Sequence, residues 1–319
     1  GAFIGITDGK ISSISKSAPE DAPGTIIDGT GMVAIPGLVN CHTHLATSAL
    51  RSFCDDLTSQ EALEQQLQKE AKMDSRAAKA AAQLAIAECL RFGITSVSDL
   101  YYYPDATAEA ISESGIKGNV ALSAYRFIDE NEEFDFDTDE QCQELVYITE
   151  KWNNFDDGRI KIDAGIHAEY TSTAPLWQWM ADYAHKHDLL MHVHVSETTS
   201  EHEQAKERNG GLTPIQALDK FGVWENGAIA AHCVWVSEDD MDIMAKKHIT
   251  AVHNPVSNLK LASGVARTSL LAQHGVNVAL GTDGVASNNN HDLFEEIKLA
   301  SLLQKGVNLD PVAVPASQA

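Results

Sequence analysis

The pairs His42-Thr43-His44 and His192-Val193-His194 place imidazoles two residues apart in runs rich in β-branched residues. In a strand, residues i and i+2 face the same side, so each pair presents two ring nitrogens together. Imidazole is a common ligand for divalent ions, and the spacing is that of half a metal site. Of the second pair, His194 lies nearer the strand end and reads as the ligand, with His192 deeper behind it. Asp283, in LGTDGVASNNN, closes another apolar run. A carboxylate there must be paired, hydrogen-bonded or on a metal, because burying it alone is costly. His42, His44, His194 and Asp283 make a three-nitrogen, one-oxygen set for one divalent ion, Zn²⁺ first and Fe²⁺ as the alternative. Glu197 and His232 are the candidate proton carriers. A metal ion makes hydroxide available near neutrality, and attack on an electron-poor carbon then needs a group to move protons.

These residues need a scaffold that gathers distant segments. From residue 36 onward, eight short apolar runs (37–42, 94–100, 119–125, 160–167, 189–195, 228–234, 249–254 and 276–283) alternate with stretches of helical period such as SRAAKAAAQLAIAECLRFG. That alternation predicts an α/β fold, a (β/α)8 TIM barrel. An open doubly wound sheet is the rival, but no GxGxxG follows an early strand. The candidate site residues fall at the C-terminal ends of the runs, the rim where active sites of this barrel sit. Residues 1–35 read differently. FIGIT, a DGK turn, ISSIS and then TIIDGTGMV suggest strands of a small β-domain, with the Asp8-Gly9 pair as a hairpin signal. The expected division is therefore 1–35 and 36–319.

With 46 acidic and 23 basic residues the formal charge is −23, which argues against nucleic acid or an anionic membrane as partner. Apolar runs are too short to span a bilayer, and the opening does not read as a signal peptide. Five cysteines (Cys41, Cys54, Cys89, Cys142, Cys233) without CxxC spacing then read as reduced thiols of a cytoplasmic protein. The acidic stretch DENEEFDFDTDE (129–140) is expected to be a solvated loop leading into a helix.

PGLVNCHTHL, HVHVSET, AHCVWVSEDD, HNPVSNLKLASG and LGTDGVASNNNHDLFEEIKLASLLQK together resemble the amidohydrolase superfamily. Within it they are most similar to the 5′-methylthioadenosine/S-adenosylhomocysteine deaminases and related chlorohydrolase-type enzymes. The resemblance implies a barrel with a small β-sandwich built from both chain ends, here expected to be partly missing at each. It implies one metal on His42, His44, His194 and Asp283, a proton shuttle at Glu197, and water activation by His232 and Asp283. It further implies Glu70 as a ribose contact, His167 as a substrate contact and Arg126, offset from the family's arginine, as a contact to a substrate carboxylate. The expected reaction is hydrolytic deamination of an adenine-type nucleoside thioether. The alternatives are another aminated or chlorinated heterocycle (triazine, pterin, guanine-like) and a non-catalytic binding protein. The expected partner is a small molecule, with a homo-oligomer in keeping with the family.

Overall fold

The computed structural model describes residues 1–18, 24–53, 55–57, 59–129 and 133–319. Cys54 and residues 130–132 of the acidic stretch lie outside the described residues. The chain divides into two compact units, Gly1–Pro36 and Gly37–Ala319.

In the first unit, β1 (Phe3–Thr7) and β2 (Lys10–Ser15) form an antiparallel hairpin. Asp8 and Gly9 both take positive φ (51° and 71°), as a tight hairpin turn requires. TIIDGTGMV is not the strand expected from its sequence. Its centre turns instead: the Thr30 N–H donates to Asp28 Oδ1, the Met32 N–H donates to the Gly29 carbonyl, and Gly31 takes φ 78°. Those local bonds compete with a ladder, and a strand without a ladder is not stable in water.

The second unit carries all eight expected strands: β3 (Leu38–Thr43), β4 (Ile94–Tyr101), β5 (Lys117–Leu122), β6 (Ile160–Ala168), β7 (Met191–Val195), β8 (Ala228–His232), β9 (Ile249–His253) and β10 (Asn277–Leu280). They pair in parallel in sequence order. Helices cover the sheet, so β7 is buried along its whole length, as parallel strands are. The helix Ser75–Arg91 shows how local sequence sets the layers. Asp74 caps it by accepting from the Ala77 N–H, Gly93 ends it at φ 81°, and Ala78, Ala82, Ala85 and Cys89 form its buried face.

The ring is joined between the ends of β10 and β3. The Asp283 N–H donates to the His42 carbonyl at 3.0 Å, and the Thr43 hydroxyl donates to the Asp283 carbonyl at 3.0 Å. Asn40 brackets Thr282, accepting from its N–H and donating to its hydroxyl. This seam needs glycine at 281, because a Cβ there would lie 2.7 Å from the His42 carbonyl oxygen and 2.5 Å from Asn254 Oδ1. Among the described residues no helix is long and apolar enough to cross a membrane. Cys41, Cys89, Cys142 and Cys233 are free thiols.

Candidate metal centre and pocket

The seam between β3 and β10 is also where the ligand candidates meet. His42 lies one residue before the end of β3 and is buried, and His44 follows two residues later. His194 comes from β7, and Asp283 lies three residues beyond β10. Asp283 Oδ1 is 3.1 Å from His44 Nε2 and 3.4 Å from His42 Nε2. His194 Nε2 is 3.2 Å from His44 Nε2. Two overlapping triads, His42/His44/Asp283 and His42/His194/His232, each bring their ligand atoms within 4.8 Å of one another.

The far sides of these rings are tied back. His44 Nδ1–H donates to the Leu100 carbonyl, and His194 Nδ1–H donates to the His167 carbonyl at 2.7 Å. Both bonds turn the Nε2 lone pair into the cluster, the arrangement that orients ligand histidines. His42 Nδ1 meets His192 Nε2 at 2.9 Å, so His192 stands behind the cluster. His42 Nε2 is buried and without a hydrogen-bond partner. A buried orphan nitrogen facing a carboxylate and two further ring nitrogens is what an N3O cation site requires. The residues fit a divalent ion.

Glu197 follows β7 on a turn in which Ser196 takes φ 47°. Glu197 Oε2 lies 3.9 Å from His232 Nε2. His232 itself takes φ 72° and Asp283 takes φ 60°. Left-handed backbone at three non-glycine strand ends around one cluster is local strain of the kind that collects at functional sites.

Beside the cluster opens a pocket of about 390 Å³, with His44 and His167 among its lining residues. Glu70, ending the helix Ser59–Glu70, forms part of its wall. The Tyr101 hydroxyl and the Gln66 amide both donate to Glu70 Oε1, at 2.7 and 3.1 Å. Arg126 is not brought into that lining; its guanidinium pairs with Asp139 at 2.7 Å.

Residues 33–319 match the amidohydrolase family. The chain belongs to that family. It is 42% identical over 98% of its length to a 5′-deoxyadenosine deaminase of Methanothermobacter thermautotrophicus, spanning 72% of that protein. It is also 42% identical over 97% of its length to a 5-methylthioadenosine/S-adenosylhomocysteine deaminase of Dictyoglomus thermophilum, spanning 71% of it. Among solved structures, an adenosine deaminase of Xanthomonas campestris with bound zinc superposes with TM-score 0.82 at 33% identity. That match covers 89% of this chain and 64% of that one. A zinc complex of atrazine chlorohydrolase from Arthrobacter aurescens TC1 gives TM-score 0.86 at 25% identity, covering 97% and 73%. This amidohydrolase is an aminohydrolase, with a histidine–aspartate metal site.

The electrostatics suit a cation. Burial lowers the His42 pKa to about 4 and drives that of His194 well below its usual value, so both are neutral and able to ligate. For Asp283 burial works upward, but the adjoining imidazoles outweigh it and hold the carboxyl well below the carboxylate range. His44 is the counterpart. Burial lowers its pKa, yet the hydrogen bond and charge of Asp283, helped by Asp99, lift it to about 9. The cluster stabilises positive charge at the place where its ligand atoms converge.

One segment, singled out in the sequence only for its resemblance, contributes residues that spacing did not suggest. Ser257 and Asn258, on the helix Pro255–Lys260, and Ser263 just beyond it are buried. Ser257 Oγ donates to Asp283 Oδ2 at 2.6 Å, His232 Nδ1–H donates to Asn258 Oδ1 at 2.8 Å, and Ser263 Oγ donates to Glu197 Oε1 at 2.9 Å. The available signal was a run of small polar residues directly after a strand whose neighbours carry ligands. Asn258 fixes the His232 tautomer, so Asn258→Ala is expected to lower kcat by about 10–100-fold. Zinc content, read by elemental analysis of the same preparation, should not change; zinc loss would instead make His232 a ligand that Asn258 orients.

Proposed function

We propose that this amidohydrolase hydrolytically deaminates adenine-type nucleosides with a deoxy or thioether 5′ position, as its relatives are named for. The exocyclic amine of the purine is replaced by oxygen from water, giving the inosine-type product and ammonia. The observation that carries this reading is one pocket with His44 of the cluster and the Glu70 carboxylate both in its lining. A carboxylate accepts from two vicinal hydroxyls, so Glu70 suits a ribose whose base lies against the cluster. His42, His44, His194 and Asp283 hold the divalent ion, zinc first and iron(II) second. When bound, that ion supplies a Lewis acid that lowers the pKa of water from about 15.7 toward about 7.

The chain's own groups handle the protons. His232 and Asp283 take a proton from the attacking water. Glu197 protonates the ring nitrogen next to the reacting carbon, takes the remaining proton of the added hydroxyl and delivers it to the leaving amine, and it is reset by the proton that the water gave up. His167 borders the purine, and its ring is neutral because burial lowers its pKa to about 4. Residues 36–319 carry this chemistry, and residues 1–35 supply part of a small β-domain. The likeness to an atrazine chlorohydrolase supports a second reading, displacement on a halogenated ring.

The test is ammonia and chloride release from zinc-loaded protein given methylthioadenosine, 5′-deoxyadenosine, S-adenosylhomocysteine, guanine or a chlorotriazine. Ammonia from the adenine nucleosides is expected. Release from guanine alone, or chloride alone, would remove the nucleoside reading and leave the family unaffected.

A further inference from the structure

Building on the nucleoside reading, the outer pocket says which 5′ groups the site accepts. Among the residues lining the pocket there is no lysine or arginine, and Glu70 is acidic. Much of the lining is aromatic, with Tyr102, Tyr125, Phe127 and Tyr170. Tyr125 is 48% and Phe127 71% exposed, which marks them as the mouth. The Tyr102 and Tyr125 rings meet edge to face with centroids 5.5 Å apart.

Three cations, Lys69, Lys72 and Arg126, lie beside this pocket in sequence, and none of them is in its lining; Lys72 is exposed to solvent. Lys69 stands over the Phe53 ring, 4.8 Å from its centroid. Arg126, between the two mouth residues, donates to Asp139 Oδ2 at 2.7 Å. Asp139 is fixed in turn, because its other oxygen caps the helix Glu140–Trp152 by accepting from the Gln141 and Cys142 N–H groups. The guanidinium charge is thus matched by a buried carboxylate before any substrate arrives.

We infer that the site selects adenine nucleosides whose 5′ substituent is uncharged, a methyl or short alkylthio group, and rejects those carrying an amino-acid zwitterion there. An apolar substituent buries surface against the rings. A zwitterion entering the same space sheds water from both of its charges, with no lysine or arginine in the lining to receive the carboxylate.

The zinc-loaded protein would be assayed for kcat/KM on 5′-deoxyadenosine, methylthioadenosine, 5′-butylthioadenosine and S-adenosylhomocysteine. The butyl compound matches the homocysteine chain in length without its charges. The three uncharged substrates should agree within about tenfold, and S-adenosylhomocysteine should fall about 100-fold or more below the butyl compound. Equal rates for these last two overturn the inference. An equal loss in both also overturns it, because length rather than charge would then be selected. Asp139→Asn keeps a capping oxygen and releases Arg126. It should narrow the gap between the butyl compound and S-adenosylhomocysteine by about tenfold; an unchanged gap removes Arg126 and Asp139 from the account. Failure of all four nucleosides would instead remove the nucleoside reading itself.

Discussion

Replacing Glu197 by Gln is expected to lower kcat by about 10³-fold while the protein keeps its zinc. The amide has the shape of the carboxylate and retains an oxygen to accept from the Ser263 hydroxyl, so the side chain should stay where it is. The backbone should stay as well. Its hold comes from the Glu201 carboxylate, which accepts from the Ser196 and Glu197 N–H groups at 2.7 Å each. What the substitution removes is a group able to take and release a proton beside His232. Glu197 belongs to neither of the two ligand triads, so metal content should not follow activity down. Steady-state turnover and zinc per chain, measured on one preparation, decide the matter. Zinc lost in proportion to activity would make Glu197 a ligand rather than a proton carrier.

That division of roles was partly legible in the sequence, for reasons of distance along the chain. His42 and His44 announce a shared face because a strand has a period of two, and the same rule applies to His192 and His194. The rim is legible because β-branched runs mark strand ends, and parallel strands in sequence order align those ends. Ser257, Asn258 and Ser263 were not legible as a group. Each reaches a partner 26 or more residues away, and nothing in the period of a six-residue helix shows which partner it will meet. The pairing of Arg126 was hidden for a related reason. The resemblance alone suggested a substrate contact, while the guanidinium pairs with Asp139, thirteen positions on, across residues whose own pattern gives no register. TIIDGTGMV has the composition of a strand, yet Asp28, Gly29 and Gly31 offer the backbone a cheaper local turn.

Asp283→Asn should have the opposite outcome to Glu197→Gln, although both exchange a carboxylate for an amide. Asn tolerates the left-handed backbone that Asp283 adopts at φ 60°. The main-chain bonds to His42 and Thr43 that join β10 to β3 do not involve the side chain. The barrel should therefore persist, with the metal-free thermal midpoint lowered by loss of the Asp283–His44 pair, so each protein is compared with its own metal-free form. The lost charge, however, stood 3.1 Å from His44 Nε2, and its second oxygen was held by the Ser257 and Ser287 hydroxyls. With a neutral amide there, zinc affinity should fall about 100-fold, or about 2.7 kcal/mol. The stabilisation that saturating zinc confers on the folded state should shrink by a similar amount, since a ligand stabilises in proportion to the logarithm of its concentration over Kd. Thermal melts across a zinc titration measure both quantities. A variant that keeps the full zinc-induced shift would exclude Asp283 from the ligands and leave His42, His194 and His232 as the set. If the shift is lost while Glu197→Gln retains it, metal holding and proton transfer reside in different carboxylates.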